Sequence, residues 1–253
     1  MYQINNFFEN DDVKVISNLG PFSVVEYQRD LSVLPQYAQA LYYCHKMNVR
    51  KKQVICDLQK SSGIVLQAGA MQWTVGNVNA TTGVKGVGDF FSKKIRGSVT
   101  GESAIKPEYT GDGTLVLEPT YRHILLLDVS TWGGSVVLDD GLFLACDASL
   151  SHKAVMRSNL SSAVAGGEGL FNLGIQGQGI LCLESPCPAQ ELISINLNND
   201  VLKVDGSLAI AWSGSLDFTV ERSGKSLIGS ATSGEGLVNV YRGTGTVWMA
   251  PVC

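Results

Sequence analysis

Charged residues are scarce in this chain, and their balance does not favour nucleic acid as a partner. Only 17% of the 253 residues are charged, and 19 Lys and Arg stand against 23 Asp and Glu, which gives a formal net charge of −4. Proteins that bind nucleic acid owe much of their affinity to a basic face that neutralises phosphates. The acidic balance therefore argues against such a partner, except through a local basic patch.

Long hydrophobic runs and targeting signals are also missing. No run approaches the roughly 18 apolar residues that cross a bilayer. The first residues contain neither a basic start nor the apolar core of a secretory signal. We therefore expect a cytoplasmic protein with reduced, mostly buried thiols. The cysteines are scattered at Cys44, Cys56, Cys146, Cys182, Cys187 and Cys253.

Motifs that support catalysis or metal binding are not found. The three histidines, His45, His123 and His152, lack metal-ligand spacing to a cysteine or to one another. Gly224-Lys225-Ser226 resembles the end of a phosphate-binding loop, but the glycine that this loop needs five residues earlier is replaced by Thr219. We predict no catalytic residues, no metal, no cofactor and no enzymatic activity. A small-molecule enzyme whose site the motifs do not reveal is one alternative.

Glycine, in contrast, is abundant, and it marks an internal repeat. The chain has 28 glycines and only 7 prolines, a balance typical of many tight turns between short strands. A Gly-x-Gly pair followed by apolar residues recurs at intervals of 66 residues, as Gly111-Gly113, Gly177-Gly179 and Gly243-Gly245. This spacing predicts three modules over residues 51–119, 120–185 and 186–253.

The repeated glycines and glutamates have structural interpretations. The Gly-x-Gly pairs lead into strands instead of helices, so we predict that they permit positive φ and close approach of strands where the sheet bends. Glu102, Glu168 and Glu235 recur with the modules, and we expect each to accept backbone N–H bonds at the turn that enters a strand. A threefold carboxylate cluster that holds a cation is the alternative.

The pattern of apolar residues predicts an all-β fold. Ile193, Ile195 and Leu197 alternate with polar residues, as in a strand with one buried face, whereas 115–117 and 181–183 are apolar throughout, as in strands buried on both faces. One module alone would bury too little surface, so we expect three modules around one core with pseudo-threefold symmetry.

Residues 1–50 lie outside the repeat. They predict two strands around the Gly20-Pro21 turn and one helix that starts near Pro35. Ala38, Leu41, Tyr42 and His45 follow helical spacing, and we expect this helix to pack on the β body.

One segment outside the predicted core, residues 83–97, combines aromatic and basic side chains. Phe90 and Phe91 precede Lys93, Lys94 and Arg96. This combination suits docking on an anionic membrane surface or a protein partner. The alternative, which we favour, is a short helix that covers one end of the core.

Several stretches taken together resemble a known family. They are 67–71 (QAGAM), 96–103 (RGSVTGES), 167–179 (GEGLFNLGIQGQG), 204–212 (VDGSLAIAW) and 234–248 (GEGLVNVYRGTGTVW). They resemble the signature stretches of the mitochondrial biogenesis family, which is named for altered inheritance of mitochondria and is widespread in bacteria. The match covers about residues 51–253, and the first fifty residues look like an extension.

The resemblance implies a fold like that of the tryptophan RNA-binding attenuation protein, which is a β-sandwich or short double-stranded β-helix. It also implies an assembly-type role, with no agreed catalytic residues. We therefore expect a non-catalytic scaffold or binding protein that forms a homo-oligomer, with a trimer as the working number. An RNA- or single-strand-binding module is the further alternative, and it rests on fold analogy alone.

Overall fold

The computed structural model describes residues 2–30, 32–82, 106–156, 171–222 and 237–251. These ranges hold one α-helix, two 3₁₀ turns and sixteen strands, so the prediction of a mainly β protein with one N-terminal helix is confirmed. The helix α1 is Pro35–Lys46, and the 3₁₀ turns are Leu58–Lys60 and Val129–Trp132. The strands are β1 Val13–Leu19, β2 Phe22–Tyr27, β3 Lys52–Asp57, β4 Ile64–Leu66, β5 Met71–Thr81, β6 Glu108–Leu117, β7 His123–Asp128, β8 Ser135–Leu138, β9 Phe143–Asp147, β10 Ser151–Met156, β11 Phe171–Gln176, β12 Ile180–Ser185, β13 Ile193–Asp205, β14 Ala209–Ser213, β15 Asp217–Arg222 and β16 Leu237–Met249.

Nine strands form the first sheet, in the order β1-β2-β3-β6-β4-β9-β12-β7, with β5 also paired to β6. The last strand, β7, returns to lie against β1 and β3, so the sheet is a nearly closed barrel. No ladder joins β1 to β7 among the described residues, and a seam remains between them. Side chains such as Val24, Val54, Leu115 and Cys182 pack together inside the barrel.

Seven strands form the second sheet, which curves into an open half-barrel. Their order is β10-β11-β8-β14-β16-β13, with β15 also paired to β16. Along β8, Val136 and Leu138 face the core shared with the first sheet, and Val137 faces the other side. Because successive side chains of a strand point to opposite faces, this sheet buries apolar residues on both.

The strands that close the predicted modules pair with antiparallel neighbours from the same predicted module. β6 pairs with β3, β4 and β5. In the second module β11 and β12 together pair with β7, β8, β9 and β10. In the third, β16 pairs with β13, β14 and β15. Neighbouring modules join through β4 with β9 and through β8 with β14. No ladder joins the third predicted module to the first among the described strands, so the predicted threefold symmetry is not shown.

The closing strands of the first two modules are buried on both faces, as their composition predicts. Every residue of 115–117 and 181–183 has no exposed surface. Each of these strands has a neighbour on both sides and core on both faces. Their uninterrupted apolar sequence follows from this central position.

The first glycine of each Gly-x-Gly pair has a positive φ: 117° at Gly111, 127° at Gly177 and 118° at Gly243. A Cβ atom on Gly111 would lie 2.1 Å from the carbonyl oxygen of Asn77 in the paired strand β5. Both the conformation and the close approach favour glycine. The chain continues as one strand through the pair in β6 and β16, whereas in the second module the pair separates β11 from β12.

The N-terminal hairpin agrees with the sequence, because β1 and β2 are antiparallel and meet at Gly20, whose φ is 56°. The helix α1 also forms, with Pro35 in its first turn. The expectation that it packs on the β body is wrong, because none of its residues is buried. Phe7 and Trp73 cover the outer face of β2 and β3 instead, so the sheet leaves the helix no apolar surface there.

Candidate functional site

The helix α1 and its C-cap residue Met47 carry exposed aromatic and apolar side chains around the helix, which we call the helix surface and define as Tyr37, Tyr42, Tyr43 and Met47. These side chains are between 56% and 77% exposed. Tyr43 and Met47 are four residues apart and therefore lie on the same side of the helix or its last turn. Three aromatic residues and a methionine on one short helix are unusual for a surface that meets only water.

The local sequence gives this helix little stability of its own. It has twelve residues, its N-cap Leu34 makes no side-chain cap bond, and its first turn holds no acidic residue. Isolated helices of this length are marginal in water, and most helices in proteins depend on packing of an apolar face. The helix surface is thus both apolar and in need of a packing partner.

A second candidate lies at one end of the barrel interior, beside the seam between β1 and β7. We call it the barrel-end pocket, and its volume is about 440 Å³. The side chains of β2 that point into the barrel are Phe22, Val24 and Glu26, and those of β3 are Cys56, Val54 and Lys52. In both strands the inward side chains change from apolar to charged, and they do so at the same end of the barrel. The residues that line the pocket are Ile16, Ser17, Glu26, Asn48, Lys52, His123, Ile124, Leu125, Leu126, Pro188, Ala189, Gln190 and Trp248.

The charges at this pocket form one buried cluster. The carboxylate of Glu26 accepts hydrogen bonds from Gln28 Nε2 at 3.0 Å and from Arg50 Nη1 at 3.2 Å. Its other oxygen lies 3.7 Å from Lys52 Nζ, and Lys52 Nζ donates to the backbone oxygen of Arg50 at 3.1 Å. The side chain of Lys52 is only 5% exposed. Arg50 Nε is buried without a hydrogen-bond partner among the described residues.

His123, at the start of β7, is held in its neutral form. Burial lowers the pKa of its imidazole, and the positive charge of Lys52 lowers it further, while Glu191 and Glu26 act in the opposite direction. A neutral imidazole can donate one hydrogen bond and accept another. The pocket therefore offers an ammonium group and a neutral imidazole beside apolar walls.

A third candidate is a cleft of about 470 Å³ on the concave side of the half-barrel. Its walls come from the edge strand β10, with Lys153, and from β15, with Asp217 and Phe218. Trp212 lies in its floor and packs in a cluster with Phe218 and Tyr241, with ring centroids 5.1 to 5.2 Å apart. The described lining includes no histidine or cysteine, so it offers no nucleophile with an adjacent base.

The site residues predicted from sequence fall into two groups. Phe90, Phe91, Lys93, Lys94 and Arg96 lie outside the described residues, as do the repeated glutamates Glu102, Glu168 and Glu235. The predictions for them, and the alternative of a carboxylate cluster, stay predictions. The Gly-x-Gly residues lie in or next to the closing strands and line neither pocket.

Sequence reasoning missed Glu26 and Lys52. Their signal was present: each ends a series of apolar residues spaced two apart, where a strand facing a closed core would continue with another apolar residue. Of the helix tyrosines, the helical spacing singled out Tyr42 alone and assigned it to packing on the β body, and it missed Tyr37 and Tyr43.

The described cysteines are free. Burial raises the pKa of the Cys146 thiol to about 12, and it also raises the pKa of the Cys56 and Cys182 thiols. Such thiols stay protonated and do not act as nucleophiles. Within the ranges that the structure covers, no three His, Cys, Asp or Glu residues come together as metal ligands, and no helix is long and apolar enough to cross a membrane.

Comparison with known proteins finds a similar sequence and a similar solved structure. An uncharacterized protein of Streptococcus pyogenes serotype M6 is 31% identical over 201 residues, which is 76% of this chain and 78% of that protein. An X-ray crystal structure of a Streptococcus pyogenes protein matches with a TM-score of 0.59 and 27% identity, covering 81% of this chain and 89% of that one. The likeness to the attenuation protein is not confirmed and stays a prediction.

A family match supports the same relationship. The sequence description of the family called mitochondrial biogenesis AIM24 matches residues 46–252. The β1–β2 hairpin and nearly all of α1 precede this match. It covers most of the chain, so the resemblance seen in the sequence is confirmed, and the chain belongs to the mitochondrial biogenesis AIM24 family.

Proposed function

We propose that this protein is a non-catalytic binding protein that associates with copies of itself through the helix surface and serves as a scaffold. The observation that carries the proposal is the helix α1, in which no residue is buried although Tyr37, Tyr42 and Tyr43 are aromatic, together with the exposed Met47 at its C-cap. A partner that covers this surface would supply the packing that a short helix needs. Self-association supplies such a partner at every copy.

Composition favours a second copy over a charged partner. Lys46 is the one Lys, Arg, Asp or Glu residue of Pro35–Lys46. Interface cores are depleted in charge and enriched in Tyr and Met, and a surface without charge repels its own copy little. A trimer is the working number. A reducing compartment such as the cytoplasm suits the free thiols of the described cysteines.

Size-exclusion chromatography with multi-angle light scattering tests the proposal. The wild-type protein should have a mass close to three times the 27.1 kDa of one chain. The double variant Tyr43→Ser/Met47→Ser should shift the mass toward one chain, because both side chains lie on the exposed helix. Tyr121→Ser removes an exposed tyrosine elsewhere and should leave the mass unchanged.

Circular dichroism shows whether each variant retains its fold. We expect retention, because neither Tyr43 nor Met47 contributes to a core cluster of the single chain. A wild-type protein that stays a single chain at every concentration would contradict the proposal. A double variant with the wild-type mass would show that the copies do not associate through the helix surface.

A further inference from the structure

We propose that the barrel-end pocket binds a small monocarboxylate with an apolar chain. The inference is independent of self-association, because the pocket lies at the seam between β1 and β7 and none of its lining residues belongs to the helix surface. No residue predicted as a site from the sequence lines it.

The shape and lining of the pocket suit such a ligand. Its volume of about 440 Å³ lies within the range of small-molecule sites. Ile16, Ile124, Leu126 and Trp248 supply apolar walls. A few polar groups, chiefly Lys52, converge within these walls, which is the usual composition of a specific small-molecule site.

The charged cluster of Glu26, Arg50 and Lys52 has more positive than negative groups. Two cations, Arg50 and Lys52, share the single carboxylate of Glu26. The hydrogen bond that the structure gives to Lys52 Nζ, which has three protons, goes to a backbone oxygen. A buried charge without full compensation is costly, so a bound anion at Lys52 would stabilise the cluster.

Glu26 limits the charge of that anion to one. A phosphate dianion would be repelled more strongly than a monoanion by the Glu26 carboxylate, which already lies 3.7 Å from Lys52 Nζ, and by Glu191, whose charge acts on His123. An amine would be repelled by Lys52. A carboxylate carries one negative charge, can accept from both the ammonium group and the neutral imidazole of His123, and leaves its chain to the apolar walls.

The N-terminal hairpin builds part of the site. Ile16 and Ser17 of β1 and Glu26 of β2 precede residue 46, where the family match begins. The ligand is therefore a property of chains that carry this hairpin. It need not be shared by relatives that lack it.

Isothermal titration calorimetry with octanoate, octylamine, octanol and inorganic phosphate tests the inference, with intrinsic tryptophan fluorescence, to which Trp248 in the pocket contributes, as a second readout. Octanoate should bind once per chain, and the other three should bind roughly tenfold or more weakly. Lys52→Met should weaken octanoate binding by a similar factor. Lys51→Met is the matched control: Lys51 is the preceding residue, pairs with Asp30 and does not line the pocket, so octanoate should bind unchanged.

A further variant, Ile16→Trp, separates loss of the site from loss of the fold. Ile16 is 42% exposed, so the larger ring should enter the pocket mouth without disturbing the core and should weaken octanoate binding. If circular dichroism shows that Lys52→Met does not fold, Ile16→Trp and the comparison of the four ligands test the inference instead. The inference is overturned if octanoate does not bind, if octylamine, octanol or phosphate binds as well, or if the folded pocket variants bind like the wild type.

Discussion

Replacing Gly111 with alanine tests how closely the strands pack at the Gly-x-Gly pairs. Gly111 lies in β6 with a φ of 117°, and an added Cβ would sit 2.1 Å from the carbonyl oxygen of Asn77 in β5. Ordinary contacts of a Cβ begin near 3.4 Å, so the two strands would have to separate by more than 1 Å. Forced repacking of this kind typically costs about 1–3 kcal/mol.

The left-handed conformation adds a separate cost, which Gly69→Ala measures alone. Gly69 has a φ of 85°, and a Cβ there would meet no atom within 4 Å. A non-glycine residue in this region costs about 1–2 kcal/mol, and both variants share the opposing gain from a stiffer unfolded chain. The difference between the two variants should therefore isolate the strand contact, at about 1–3 kcal/mol more destabilisation for Gly111→Ala.

Urea denaturation at one fixed protein concentration measures both free energies of unfolding. The fixed concentration matters because self-association would add to the apparent stability of each variant equally. Equal destabilisation by Gly111→Ala and Gly69→Ala would refute the close strand contact. It would leave the positive φ as the sole reason for glycine at position 111.

Two further predictions concern the core and the histidines. Leu183→Ala should lower the free energy of unfolding by about 2–5 kcal/mol, because Leu183 is fully buried in β12 and its loss leaves a cavity. The control Val201→Ala changes a 46% exposed residue and should alter the free energy of unfolding by less than about 0.5 kcal/mol. Similar effects from both would contradict the assigned core. Stability should also fall as pH drops below 6.5, because burial lowers the pKa of His123 and His152 and the unfolded chain then takes up protons first. This fall in stability should be shallower in the double variant His123→Gln/His152→Gln. The prediction would be contradicted if the stability of the double variant depended on pH as steeply as that of the wild type.

Much of the β architecture could be predicted because its signals are local. The apolar runs 115–117 and 181–183 mark central strands, and the Gly20-Pro21 turn marks the N-terminal hairpin. Asn199-Asp200 is a sequence typical of a turn, yet β13 continues through it with a bulge, and Asn199 has a φ of 50°. A residue that tolerates positive φ suits a turn and a bulge equally, so sequence cannot separate them.

The arrangement of the modules and the candidate sites depended on contacts distant in sequence. Which strands join neighbouring modules, such as β4 with β9, follows from packing that no single segment encodes. Glu26 and Lys52 look like ordinary surface charges in the sequence until β2 and β3 pair and turn both side chains toward one end of the barrel. The spacing within α1 correctly predicted a helix, but its exposure follows from Phe7 and Trp73 covering the sheet instead.

Amide hydrogen exchange in α1, followed at low and high protein concentration, tests the central claim of self-association most directly. The account predicts that the hydrogen-bonded amides within α1 exchange slowly at concentrations where light scattering finds oligomers and quickly where it finds single chains, since a short helix without packing opens readily. Rapid exchange in α1 at both concentrations, with the strands equally protected in each, would contradict it.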